Sequence, residues 1–161
     1  MQLGFEEIPD WKTFEDLVAS YFRYIKNDTD NNLIDVEVKP SGESADGGVD
    51  ILLTFELSDS IKRLKRKWVV QCKFVEGSVG KSIISDTNIP TLVHEYNAVG
   101  YLLIVKKDVT KLLVDSFKNL NENCKFGYRY EIWQGAEFIE KIRIAPEQLI
   151  QQYFHKVYQS K

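Results

Sequence analysis

At 161 residues and 43% hydrophobic content, the chain suits a single globular domain with a sizeable core. Its 21 basic and 24 acidic residues leave a net charge of −3, which argues against a wholly basic protein that coats nucleic acid but permits local patches. No apolar run approaches the length of a membrane span, and no basic segment followed by an apolar core opens the sequence, so neither membrane insertion nor secretion is expected.

Trp11, Phe14, Leu17, Val18, Tyr21, Phe22 and Ile25 recur at helical spacing and predict an amphipathic helix over 11–25. Glu15 is its anomaly. It falls near the azimuths of Trp11 and Phe22, on the shoulder of the apolar stripe, whereas Asp16 points away. A carboxylate there either snorkels to the rim or serves a site. In the polar segment that follows, Asp28, Asp30 and Asn32 echo the start of a calcium loop. Leu33 stands where that loop needs glycine and Lys39 where it needs its last glutamate, so the echo is discarded. A strand is predicted from Leu33 to Lys39, then a turn around Ser41 to Gly48.

Ile51 to Phe55 and Trp68 to Phe74 are apolar runs expected to pair antiparallel about a turn centred near Ile61, with Asp50 opposite the span Gln71 to Lys73. Strand side chains alternate, so Asp50, Gln71 and Lys73 share one face while Ile51, Leu53, Val70 and Cys72 take the other. An acid, an amide and an ammonium on core sheet need partners. A hydrated divalent metal beside a phosphate supplies them. Lys62, Arg63, Lys65, Arg66 and Lys67 crowd the segment assigned to the hairpin loop, either as a solvated surface or as contacts to phosphate.

Gly77-Ser78-Val79-Gly80-Lys81-Ser82 resembles half of a phosphate-binding P-loop, but Val75 replaces its first glycine and Pro90 interrupts the helix it requires. With Asn88 as cap and Pro90 in the first turn, a helix from Ile89 to Ala98 is the better reading. Tyr101 to Lys106 reads as a buried strand. Asp108 or Thr110 then caps a helix with Leu112, Leu113, Phe117 and Leu120 on one stripe. Phe126 to Trp133 alternates as a last strand, before 136–144 and a helix from Pro146 to about Tyr158. The order α-β-β-β-α-β-α-β-α describes a mixed sheet flanked by helices. His94 and His155 are read as helix-surface residues. Cys72 and Cys124, without metal-type spacing, are read as free thiols of a reducing cytoplasm.

Glu15 on a first helix, Asp46-Gly47-Gly48-Val49-Asp50 entering one strand and Val70-Gln71-Cys72-Lys73 in the next together resemble the PD-(D/E)xK nuclease superfamily. More narrowly they resemble the Mrr-like restriction endonucleases, which carry glutamine where most relatives carry glutamate before the lysine. The likeness spans roughly Trp11 to Trp133. It implies a restriction-endonuclease-like three-layer α/β/α fold with an α-β-β-β-α-β core and a mixed central sheet. It also implies a magnesium-dependent DNA endonuclease of bacterial restriction or phage defence, with manganese as a substitute ion.

By the same resemblance, Asp50 holds the metal, with Gln71 supplying a neutral oxygen, the Cys72 backbone carbonyl a further ligand and Glu15 helping directly or through water. Lys73 orients or helps deprotonate the attacking water and neutralises transition-state charge. Lys39 or Ser41 would lie near the phosphate. With no acid at position 71 the site is less negative, which favours one ion over two. A catalytically inactive DNA-binding or assembly module, and a junction-resolving or repair nuclease, are the alternative readings. The implied partners are double-stranded DNA, a second copy of the chain, and a fused or associated NTPase or sensor module. The chain then reads as one nuclease domain, either whole or excised from a longer protein.

Overall fold

A five-stranded sheet, ordered as in the sequence, runs through the molecule: β1 (Leu33–Val38), β2 (Ile51–Ser58), β3 (Arg63–Lys73), β4 (Gly100–Val105) and β5 (Arg129–Trp133). The computed structural model describes residues 2–26, 28, 30–39, 48–84 and 87–161; Ser41, Asp46 and Gly47 of the predicted turn lie outside them. β1, β2 and β3 form an antiparallel meander, whereas β3–β4 and β4–β5 pair in parallel. Parallel neighbours need crossovers, and α2 (Ile89–Glu95) and α3 (Lys111–Asn123) provide them. The other α-helices among the described residues are α1 (Trp11–Ile25), α4 (Gly135–Ile144), α5 (Glu147–Tyr153) and α6 (His155–Gln159).

Strand alternation sorts the core into two layers. Ile51, Leu53, Val70, Cys72, Leu102 and Ile104 pack against Phe14, Leu17 and Val18 of α1 and Phe138, Leu149 and Phe154 of the C-terminal helices. Leu52, Val69, Tyr101, Leu103 and Val105 face Leu92 and Val93 of α2 and Leu113 and Phe117 of α3. The architecture is therefore three-layer α/β/α. α1 begins and ends where its periodicity predicts, and the Asp10 carboxylate caps it by accepting from Thr13 N–H at 2.7 Å.

The hairpin departs from expectation in register. Ile51 pairs with Val70 and Ser58 with Arg63, two residues out from the predicted alignment, and Asp50 N–H donates to the Val70 carbonyl at 2.9 Å, which sets Asp50 at the Gln71 end of the expected 71–73 span. The cause is local: Asp59 Oδ1 accepts from Ile61 N–H at 2.7 Å and Lys62 N–H at 2.8 Å, closing a tight turn over Asp59–Lys62. Both strands therefore run further than their apolar cores. Arg63, Lys65, Arg66 and Lys67 are strand residues of β3, and Lys62 alone of the basic cluster is in the turn.

Three other expectations are corrected. Leu112 is 65% exposed, because it sits one residue off the stripe of Leu113 and Phe117. The last strand starts at Arg129 and not at Phe126, since Gly127 adopts φ 69° and breaks the extension. The C-terminal helix is two helices: Phe154, at φ −131° and ψ 62°, leaves the helical path and is fully buried. No helix among the described residues is long and apolar enough to cross a membrane.

Candidate active site

β2 stops short of covering β3. Asp50 N–H still reaches the Val70 carbonyl at 2.9 Å, but the next donor on that side of β3, Cys72 N–H, lies beyond the last β2 pair, Ile51–Val70. Asp50 Oδ2 accepts it at 2.7 Å. The acid thus replaces a missing ladder residue, and its carboxylate is held in the plane of the sheet at the rim. The Cys72 carbonyl leaves the strand on the same side as its N–H, toward the same gap.

Glu15 reaches this rim from α1, where its neighbours Phe14 and Leu17 are fully buried against the sheet. The structure brings its carboxyl to Asp50, to which it is hydrogen-bonded. Burial, reinforced by the Asp50 charge, pushes Glu15 up to about 8. Burial also raises Asp50, against the Cys72 N–H bond, the bond from Glu15 and the Lys73 charge, which pull it down. Burial thus favours a proton held between the two carboxyls. Lys73, half-buried at the end of β3, is close enough for its charge to favour ionisation of both carboxyls.

Gln71 is buried, and its Oε1 accepts a hydrogen bond from the Tyr101 hydroxyl on the α2/α3 side of the sheet. An amide oxygen has two lone pairs, so one remains open. The expected single-face cluster is looser than the alternation suggested. Asp50 turns toward Cys72 N–H and Glu15, while the Gln71 amide turns toward Tyr101. Gly48 borders this amide at φ 104°, where a Cβ would stand 3.0 Å from Thr87 Oγ1 and 3.1 Å from Gln71 Nε2, so glycine is required on both counts. Cys72 presents a buried thiol whose pKa burial raises further, which removes it as a nucleophile.

The basic residues divide. Lys39 N–H donates to the Asp50 carbonyl at 2.9 Å, which sets Lys39 beside the site; its ammonium pairs with Glu37 at 3.0 Å and lies 5.5 Å from the Tyr96 ring centroid. The hairpin cluster is not brought to the site: at the rise of a strand, Lys67 lies about 20 Å and Arg63 about 33 Å from Lys73. Parity puts Arg63, Lys65 and Lys67 on the α2 face of this arm and Arg66 on the other. His94 is an exposed residue of α2, as its sequence reading has it, and its Nδ1 lies 2.8 Å from the Tyr128 hydroxyl.

Tyr101 was missed from sequence. Its one signal was a hydroxyl-bearing residue in the otherwise apolar run that ends at Val105. Among the described residues no three His, Cys, Asp or Glu side chains gather as a metal cluster. The donor set here is two carboxyls supplemented by neutral oxygens.

An antiparallel meander feeding a parallel pair, with an acid ending one strand ladder and an amide and a lysine closing the next, defines a restriction-endonuclease-like α/β protein. The chain belongs to the restriction endonuclease family Mrr_cat, which it matches over residues 8–142. Among solved structures it is similar to the DNA modification-dependent restriction endonuclease AspBHI, with TM-score 0.56 and 14% identity over 98% of this chain and 37% of that one. It is also similar to the MspJI restriction endonuclease, solved in complex with a 27-mer oligonucleotide, with TM-score 0.57 and 12% identity over 95% of this chain and 39% of that one. At such identities the likeness is one of fold, and the chain spans well under half of either enzyme. None of the curated proteins compared with the chain matches it.

Proposed function

We propose that the chain is the divalent-metal-dependent nuclease domain of a restriction system, hydrolysing phosphodiester bonds in double-stranded DNA. The observation that carries this reading is the Glu15–Asp50 pair: two carboxyls from different elements, forced by burial to share one proton at a rim also reached by a lysine. A fold optimised only for stability would separate them or neutralise one by substitution. A divalent cation satisfies both, so the residues present fit the ion. Asp50, Glu15, the Cys72 carbonyl and the open lone pair of Gln71 would hold Mg2+, or Mn2+ in its place.

When bound, such an ion lowers the pKa of water and stabilises charge on a phosphoryl group. The chain's own residues do the rest. Asp50, tied to the Cys72 N–H, holds its carboxylate without reorganisation. Tyr101 fixes the Gln71 amide from behind. Lys73 brings a half-buried cation to the site, orienting the nucleophilic water and countering the charge that builds on phosphorus. The hairpin arm, with Lys62, Arg63, Lys65, Arg66 and Lys67, extends the basic surface a further helical turn along a duplex, and Lys39, beside the site, and Ser41 are further proposed phosphate contacts.

Cutting both strands needs two such sites, which favours a second copy of the chain. Its share of the two similar enzymes favours a larger protein in which a further module, of NTPase or sensor type, chooses the DNA. Phage defence in a bacterial cytoplasm is the setting that suits this reading. Supercoiled plasmid incubated with the protein and Mg2+ tests it: nicked or linear product from wild type, and none from Asp50→Ala or Lys73→Ala, is the expected result. Binding without cleavage would instead identify an inactive DNA-binding module, and cleavage confined to branched substrates a junction nuclease.

A further inference from the structure

The geometry points to Lys106 as a binding residue for a DNA backbone phosphate, with Glu76 occupying its ammonium until nucleic acid arrives; this rests on the DNA reading above. Lys106 directly follows β4, and its N–H donates to the Lys73 carbonyl at 3.0 Å, so it stands one strand over from Lys73 at the same rim. Leu102 and Ile104 face α1, and position 106 continues on that side. There the Lys106 Nζ lies 4.3 Å from the Phe74 ring centroid, and Phe74 packs 5.3 Å from Phe14, the neighbour of Glu15. The ammonium is thus on the Glu15 side of the sheet, opposite the face to which the Gln71 amide turns.

The lysine is held and its partner is not. Its side chain is only 19% exposed, whereas the Glu76 carboxylate that pairs with it is 86% exposed. Its backbone is clamped beneath α4: Gly135 N–H donates to the Lys107 carbonyl at 2.8 Å, and a Cβ at Gly135 would stand 2.0 Å from the Lys106 oxygen. The loop bearing Glu76 is anchored independently, through Ser78 to the Asp108 carboxylate and Val79 N–H to the Asp108 carbonyl at 2.9 Å. Glu76 can therefore swing away without releasing the loop. An ion pair with so exposed a carboxylate adds little to fold stability. A duplex phosphate offers the same charge together with counterion release, and displaces it.

The two members of a purely structural pair would respond alike to neutralisation. A phosphate site with an internal competitor requires opposite responses. Binding of a fluorescent duplex, long enough to cross both the hairpin arm and the site, is measured by anisotropy in chelator at several salt concentrations. Glu76→Gln is expected to tighten binding several-fold at low salt. Lys106→Gln is expected to weaken it several-fold and to reduce the log–log salt slope by about one, with Lys106→Arg restoring both. Should Lys106→Gln perturb folding, the exposed Glu76 variant carries the test alone. Wild-type binding with Glu76→Gln unchanged or weakened overturns the assignment of Lys106 and leaves the nuclease reading standing. Absence of duplex binding by wild type at low salt removes both.

Discussion

The Asp50 carboxylate and the Cys72 backbone N–H are joined at 2.7 Å across the end of the β2–β3 ladder, and this bond ties the site's acid to the strand that carries Gln71 and Lys73. One side chain thereby has two duties, completing a sheet edge and presenting a charge.

Substitution separates those duties. Asp50→Asn keeps an acceptor for Cys72 N–H, so melting temperature should change little, whereas Asp50→Ala leaves the donor unpaired and should cost about 1 kcal/mol, roughly 2–4 °C. Plasmid cleavage should be lost in both. Cleavage retained by Asp50→Asn would show that the charge is not used.

The Glu15–Asp50 pair makes metal-free stability depend on pH. Glu15 rises from 4.5 to about 8 in the folded protein, so below the unfolded value its contribution is complete, and it is lost as pH rises through the folded value. Burial shifts Asp50 in the same direction. In chelator the melting temperature should fall by several degrees across this window. Glu15→Gln should flatten the profile, and Mg2+ should restore stability at its alkaline end. A wild-type profile as flat as that of the variant would exclude the shared proton.

Tyr101 holds Gln71 from the far side of the site. Tyr101→Phe leaves a buried amide oxygen without that donor, a loss of about 1–3 kcal/mol by thermal denaturation. Turnover should drop more than substrate affinity, because the hydroxyl positions the amide and touches no DNA in this reading. An unchanged turnover number would assign the Tyr101–Gln71 bond to stability alone.

Gly135 is the tightest backbone approach near the site. Gly135→Ala sets a methyl 2.0 Å from the Lys106 carbonyl oxygen, which as backbone cannot rotate away. Overpacking of this kind costs about 2 kcal/mol, or roughly 4–8 °C. Hydrogen exchange should show the loosening concentrated where α4 starts and β4 ends.

Much of this molecule was written in local pattern. The stripe from Trp11 to Ile25 predicts α1 to the residue, because burying one face of a helix demands that spacing. The two-residue alternation from Ile51 to Cys72 sorts side chains correctly between the two core layers, even with the pairing two residues out of register. A slip of two preserves every face. The acid, amide and lysine were likewise visible as polar residues lodged in apolar strands.

Contacts between distant parts of the chain were not legible in this way. The register depends on the Asp59 side chain closing a turn earlier than the apolar runs suggest, which carries four of the five basic residues out of the loop and into β3. Glu15 meets Asp50, Tyr101 meets Gln71 and Glu76 meets Lys106 over separations of about thirty residues. No periodicity encodes such meetings. They arise when helices and strands pack, since only then does burial strip water from these groups and make a proton, a hydroxyl or a counter-charge the remaining way to satisfy them.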